Sequence, residues 1–260
     1  MPDVLHLTPN STPELIETMR LHAGRIALWP LHRSRLLASA ASLGYKADAQ
    51  ALDAKVLACI QKTLSDASRQ HPAPNVPDAT AVGQSWRVRL LLAQNGEVQL
   101  TAAELPETPS PVTIALACDV LSQGNAPSST ADPAVHCLDA SNSWLRHKTT
   151  FRPWYQAGQH WLQQHPSCFD LIFVNQSGHL CEGSRSTIYV QDSQGRWLTP
   201  PVTEGLLPGV MRQSLLNDSH VSEARLSLHD MHTAPALRVS NALRGWLDAR
   251  LAGPAMFLDI

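Results

Sequence analysis

The chain has 260 residues, with 20 Lys and Arg against 22 Asp and Glu and a formal charge of −2. Its 43% hydrophobic and 16% charged residues argue against global disorder and supply a core for one large domain or two of ordinary size. The near-neutral balance argues against a general nucleic-acid binder, which needs clustered cations to meet phosphates, and no apolar run has the length of a membrane span. Met1-Pro2-Asp3-Val4-Leu5-His6 lacks a basic region followed by an apolar run, so no signal peptide is expected. The cysteines, Cys59, Cys118, Cys137, Cys168 and Cys181, are scattered and never spaced C-x-x-C. That pattern fits reduced thiols in a cytoplasm better than disulfides or a structural zinc.

Residues 15–21 read as a strand, followed by a turn at His22-Ala23-Gly24 and a short return strand over 26–28. From 31 to 43 the period becomes helical. Leu36, Ala40 and Leu43 share one stripe, Arg35, Ser39 and Ser42 line a neighbouring polar face, and Gly44 stands at the helix stop. Asp48 is the expected N-cap of a second helix bearing Leu52, Val56, Cys59, Ile60 and Leu64. Residues 71–81, with Pro72, Pro74 and Pro77, form a surface loop. Asn95-Gly96, which tolerates the positive φ of a tight turn, joins strands over 86–92 and 97–100 into a hairpin.

The proline-rich run over 105–111 marks the expected boundary between an N-terminal domain, 1–108, and a C-terminal domain, 109–260. The second half opens with a strand over 112–117 and a polar loop over 122–143. A helix over 153–165 follows, with Pro153 in its first turn and Trp154, Ala157, Trp161 and Leu162 on its apolar stripe. Strand pairs turn at Gln176-Ser177-Gly178 and Asp192-Ser193-Gln194-Gly195, a helix begins near Pro208, and strands over 237–240 and 246–251 follow. Helices and strands mixed in both halves indicate an α+β or α/β protein of two domains.

Four local features can carry chemistry. Lys148, in His147-Lys148-Thr149-Thr150-Phe151-Arg152, becomes a nucleophile for a carbonyl if its surroundings lower its pKa; otherwise a loop lysine is a solvated charge. Glu182, in Cys181-Glu182-Gly183-Ser184-Arg185-Ser186-Thr187, can hold a proton on a ring nitrogen if buried, or pair with Arg185 as a turn residue. Leu207-Pro208-Gly209-Val210-Met211 leaves the Val210 and Met211 amides at a helix start, where donors and dipole form an anion site; the plain alternative is a proline-initiated helix. Arg35, read as lying in a first helical turn, is electrostatically misplaced there unless it turns toward an anion. His229 and His232 lack a third ligand at convincing spacing, so no metal site is expected.

In order, these runs and the late Ser240-Asn241-Ala242-Leu243-Arg244-Gly245 resemble the class IV (fold type IV) pyridoxal-phosphate enzymes. That family holds branched-chain aminotransferases, D-amino-acid aminotransferases and 4-amino-4-deoxychorismate lyase. The resemblance spans residues 15–251. His-Lys-Thr-Thr-x-Arg and Asn-x-x-Arg-Gly are most similar to the lyase branch, especially the domain fused behind the chorismate-amination subunit of para-aminobenzoate synthesis.

The resemblance implies a smaller N-terminal α/β domain and a barrel-like C-terminal domain that carries the Schiff-base lysine. It makes Lys148 that lysine, sets Glu182 against the pyridine nitrogen and Arg35 on the phosphate, and completes the phosphate cradle with Val210, Met211, Asn241 and Ala242. Arg152 and Arg244 are the arginines expected to meet substrate carboxylates, through their forked donors. Thr187 and Ala242 depart from the family pattern, and Pro153 stands where aminotransferases often carry a tyrosine, with Tyr155 out of register.

The implied activity is conversion of 4-amino-4-deoxychorismate to para-aminobenzoate and pyruvate, by a cytoplasmic homodimer acting on a small molecule. A para-aminobenzoate synthase component is a further expected partner. Its rival is an aminotransferase acting on a branched-chain or D-amino acid. A third reading, a non-catalytic subunit that keeps the fold, comes from the late start of the chain relative to the family.

Overall fold

The computed structural model describes residues 12–70, 84–121 and 137–257. The residues read for a signal peptide, the whole of the proline loop over 71–81 and most of the polar loop over 122–143 lie outside them. The chain divides into two compact units, one comprising Met1–Glu107 with Lys148–Phe151, the other Thr108–His147 with Arg152–Ile260. The sequence drew a single cut after residue 108 and assigned the lysine segment to the second half. The structure returns that segment to the first unit, and the physical reason is backbone pairing. Ile16 N–H donates to the Lys148 carbonyl at 2.8 Å, and Thr150 N–H donates to the Glu14 carbonyl at 2.9 Å.

In the first unit, β1 (Leu15–His22) leads through α1 (Trp29–Leu43) and α2 (Ala49–Gln70) to β2 (Ser85–Leu92) and β3 (Val98–Glu104). The three strands form one antiparallel sheet with β2 in the middle. Strand alternation puts Leu15, Glu17, Met19 and Leu21 on the face that opposes Leu92, Leu90, Val88 and Trp86, and all eight are buried. Leu36 and Ala40 of α1 and Leu52 and Val56 of α2 close over that face. Gly44 ends α1 in the left-handed conformation at φ 73°, and the Asp48 carboxylate accepts from Ala51 N–H at 2.6 Å to start α2.

The expected return strand over 26–28 does not form. Positive φ at Ala23 and Gly24 turns the chain tightly, leaving one bridge between His22 and Arg25. Pro30, which needs no N–H partner in a first turn, then starts α1 at Trp29. That earlier start moves Arg35 into the second turn, so the argument from a misplaced first-turn charge does not hold.

Glu17 is the exception in the apolar row of β1. Its carboxylate, 1% exposed, faces the core between Leu15 and Met19. Arg35 answers it twice, with Nε to Oε1 at 2.9 Å and Nη2 to Oε2 at 2.5 Å, and His32 Nδ1 lies 2.6 Å from Oε2. Burial alone would raise the carboxyl; Arg35 first and then His32 outweigh it and bring Glu17 down to about 2. Burial also keeps His32 below its ordinary value against the pull of Glu17, so the neutral imidazole donates its Nδ1–H.

The second unit runs β4 (Val112–Leu116), α3 (Ala117–Leu121), α4 (Gln156–Gln164), β5 (Asp170–Val174), β6 (Leu180–Gly183), β7 (Thr187–Gln191) and β8 (Trp197–Thr199). It continues with α5 (Val210–Asn217), β9 (Ser222–Glu223), α6 (Leu228–Thr233), β10 (Leu237–Asn241) and β11 (Gly245–Leu251). Its eight-stranded sheet, in the order β6-β5-β4-β11-β10-β7-β8-β9, curls into a half-barrel. β5 and β6 are buried along their whole length, as strands covered on both faces must be. The expected stripe of α4 shifts, because a tighter 3-10 turn at Pro153–Tyr155 precedes it. Tyr155, Gly158 and Leu162 face inward and Ala157 is exposed.

Both shifts in the first unit act in the same direction with acid. Below pH 6.5 the unfolded chain protonates His32 before the folded one does, so stability falls. The Glu17 contribution is complete above its ordinary 4.5 and is lost as pH falls toward 2. We predict that Arg35→Ala, which strands a buried carboxylate, costs about 3–5 kcal/mol at pH 7 in urea unfolding. The loss should shrink at pH 4, where the stranded carboxyl takes up a proton. An equal loss at both pH values would contradict the assignment.

Candidate active site

Within the first unit, the Lys148 segment runs along the edge of β1 left open by β2. A bridge between Leu15 and Thr149 fixes its register, and Thr150 Oγ1 accepts from Glu14 N–H at 2.9 Å. Lys148 therefore leaves a pinned backbone rather than the open loop the sequence suggested. Its charge is among those that depress His32, which places it in the electrostatic surroundings of Glu17, His32 and Arg35. Arg35 and Lys148, two of the expected site residues, thus share one unit. Glu17, the residue that binds the Arg35 fork, was read only as part of a strand. The signal available was an acid in the inward phase of an apolar alternation.

The second unit positions the remaining candidates. Glu182 is 5% exposed on β6, and its Oε1 accepts from the Tyr155 hydroxyl at 2.6 Å and from Leu207 N–H at 3.1 Å. The alternative of a Glu182–Arg185 turn pair gives way to this arrangement; Arg185 is exposed. In sequence, Tyr155 is out of register with the family's tyrosine. The 3-10 turn carries it to the carboxylate by another route.

The turn after Glu182 is fixed by Asp170, wholly buried on the neighbouring strand. It accepts from Ser184 Oγ at 2.7 Å, Ser186 Oγ at 2.6 Å, Arg185 N–H at 3.1 Å and Leu171 N–H at 2.9 Å. A Cβ on Gly183 would come within 2.2 Å of Asp170 Oδ2, so only glycine fits there. Arg152 reaches across to the Ser184 carbonyl, Nη2 donating at 2.7 Å, with its guanidinium 4.5 Å above the Tyr155 ring.

The residues expected to hold an anion lie at the start of α5 and at the end of β10. α5 starts at Val210 after Gly209, which provides no side-chain cap. A Cβ on Gly209 would meet Thr187 Oγ1 at 3.0 Å, so the bare backbone of the helix start abuts β7. Thr187 pairs with Ser240 on β10, and α5 packs on that strand. At the end of β10, Asn241 Oδ1 accepts from Leu243 N–H at 3.1 Å and Arg244 N–H at 2.8 Å, fixing the turn that holds Ala242. An uncapped helix start beside a threonine hydroxyl is chemistry that fits a phosphate. The second unit therefore carries Glu182 on β6, Val210 and Met211 at the start of α5, Asn241 at the end of β10, Ala242 and Arg244 in the turn that follows, and Arg152 against the turn after β6.

Comparison with known proteins gives the family. The profile of the family described as amino-transferase class IV matches residues 14–252. A Schizosaccharomyces pombe protein named as an aminodeoxychorismate lyase is 26% identical over 210 residues, 80% of this chain and 75% of its own. A Mesorhizobium loti structure named as an amino-acid aminotransferase has a TM-score of 0.70 at 31% identity, covering 93% of this chain and 100% of that one. A Mycobacterium tuberculosis structure named as an aminotransferase, with pyridoxal phosphate bound, has a TM-score of 0.67 at 18% identity over 93% of this chain and 82% of its own, a likeness of fold. The match runs from β1 to β11 and takes in every segment described above. The chain belongs to the class IV aminotransferase family, whose members are pyridoxal-phosphate-dependent enzymes.

Proposed function

We propose that the chain is an aminodeoxychorismate lyase that converts 4-amino-4-deoxychorismate to para-aminobenzoate and pyruvate. The observation that carries this choice is the Schizosaccharomyces pombe relative named for that activity, which aligns over 80% of the chain. The His147-Lys148-Thr149-Thr150-x-Arg152 run supports it from the sequence.

Lys148 would attach the cofactor, and its amine would serve as the base that moves the substrate α-proton. Its backbone pairing to β1 fixes the point from which the amine swings. Arg35 binds the phosphate, its guanidinium plane set by Glu17. The Val210 and Met211 amides and the turn at Asn241-Ala242 complete the phosphate cradle. Glu182 holds a proton at the pyridine nitrogen. When bound, pyridoxal phosphate supplies an electron sink for charge developing at the substrate α-carbon. Arg152 and Arg244 are proposed for the substrate carboxylates, with one Arg152 nitrogen already on the Ser184 carbonyl. The working form is a cytoplasmic homodimer that takes substrate from a chorismate-aminating synthase component.

A second reading, a class IV aminotransferase, is favoured by the name of the Mesorhizobium loti structure at 31% identity. The same side chains serve it. The two readings would differ in the fate of the proton that Lys148 holds: the lyase would pass it to the departing pyruvate group, whereas a transferase would need a keto acid to complete its cycle.

Two experiments test these assignments. Protein supplied with pyridoxal phosphate and aminodeoxychorismate is expected to release para-aminobenzoate and pyruvate in equal amounts with no keto acid present. Turnover that requires a keto acid would remove the lyase reading in favour of the transferase. Gly209→Val should crowd Thr187 and weaken pyridoxal-phosphate binding by about tenfold or more in an equilibrium titration, about 1.4 kcal/mol; unchanged affinity would remove α5 from the cradle.

A further inference from the structure

We propose that Tyr155 is a positioning residue: it holds the Glu182 carboxylate ionised and fixed, so that the proton shared with the cofactor's ring nitrogen resides on the nitrogen. The inference rests on the assignment of Glu182 above and extends it to a residue outside that set.

The geometry is that of a built support. Tyr155 is 1% exposed, and its hydroxyl donates to Glu182 Oε1 at 2.6 Å, the same oxygen that takes Leu207 N–H. Phe173 packs edge-on to the phenol ring at 5.0 Å, Trp154 at 6.0 Å, and the Arg152 guanidinium covers its face at 4.5 Å. Arg152 is itself tied to the Ser184 carbonyl, two residues beyond Glu182. The phenol is thus locked by three side chains, and one of these is anchored to the same turn whose carboxylate it supports. Burial and then the Glu182 charge push the phenol well above its ordinary value, so it stays a donor.

The consequence follows from hydrogen-bond energetics. A phenol donating to a carboxylate makes a charge-assisted bond, stronger than a neutral one, and it lowers the proton affinity of the oxygen that accepts it. Two donors on Oε1 therefore weaken Glu182 as a base. In a shared N–H···O pair, a weaker carboxylate base leaves the proton on the ring nitrogen. Without the phenol, the desolvated carboxylate competes for that proton. A buried tyrosine that only fills space would leave the proton where it is.

The test uses pyridoxal phosphate labelled with nitrogen-15 in its ring, loaded into wild type, Tyr155→Phe and protein carrying a fluorinated tyrosine at 155. The fluorinated ring keeps the shape and makes the phenol more acidic. The expected result is a ring-nitrogen resonance that moves toward the neutral-pyridine position in Tyr155→Phe and away from it with the fluorinated ring. The kcat of Tyr155→Phe should fall by about tenfold, with KM changed less than about twofold. A loaded Tyr155→Phe protein with the wild-type resonance overturns the inference, as does a resonance indifferent to phenol acidity. If Tyr155→Phe fails to fold, the fluorinated protein decides alone. Wild type that takes up no pyridoxal phosphate overturns this inference and the cofactor assignment together, which separates the two failures.

Discussion

A carboxylate placed in the apolar face of a β-sheet constrains the first unit of this protein. Glu17 occupies an inward position of β1 where a leucine or methionine would pack, opposite Leu90. A charge there is tolerable only when fully paired, and the pairing takes Nε and Nη2 of Arg35 and Nδ1 of His32. The cost of burial is offset by fixing three side chains of α1 and β1 in one geometry. The strand that carries the carboxylate also holds the Lys148 segment on its other edge. The residue assigned to the phosphate and the residue assigned to the aldehyde are therefore set by one strand.

The second unit solves a parallel problem around Glu182. Its turn is held from beneath by Asp170, whose two oxygens collect four donors, and from the side by Arg152 and Tyr155. Both units thus surround a buried acid with donors of fixed direction. Preorganisation of this kind is what a cofactor enzyme contributes, since the hard chemistry belongs to the cofactor. It also explains the glycine at 183, where the turn passes too close to Asp170 for any side chain.

Much of this was legible in the sequence. The hairpin at Asn95-Gly96, the glycine stop at Gly44, the cap at Asp48 and the turns at Gly178 and Gly195 were local signals, and the structure contains each of them. The ordered runs around Arg35, Lys148, Glu182, Val210 and Asn241 carried the resemblance to the family. What escaped was non-local. The return strand over 26–28 looked plausible because a turn precedes it, but nothing in a linear reading says that Ile26 will enter the core instead. The phase of α4 departs from the linear pattern because a 3-10 turn, with fewer residues per turn, carries Tyr155 rather than Ala157 inward. The lysine segment was assigned by chain position to the second half, whereas its partner strand lies over a hundred residues earlier. Glu17 was in plain view in an apolar alternation; its meaning depended on Arg35 and His32, residues of another element.

The central claim is that Lys148 is the attachment point of the cofactor. The chain carries only four lysines, Lys46, Lys55, Lys62 and Lys148, so peptide mapping can decide it. Protein incubated with pyridoxal phosphate, reduced with borohydride and digested should carry the phosphopyridoxyl mass on the peptide containing Lys148 and on no other. The mass on Lys46, Lys55 or Lys62 with an unmodified Lys148 would contradict the account.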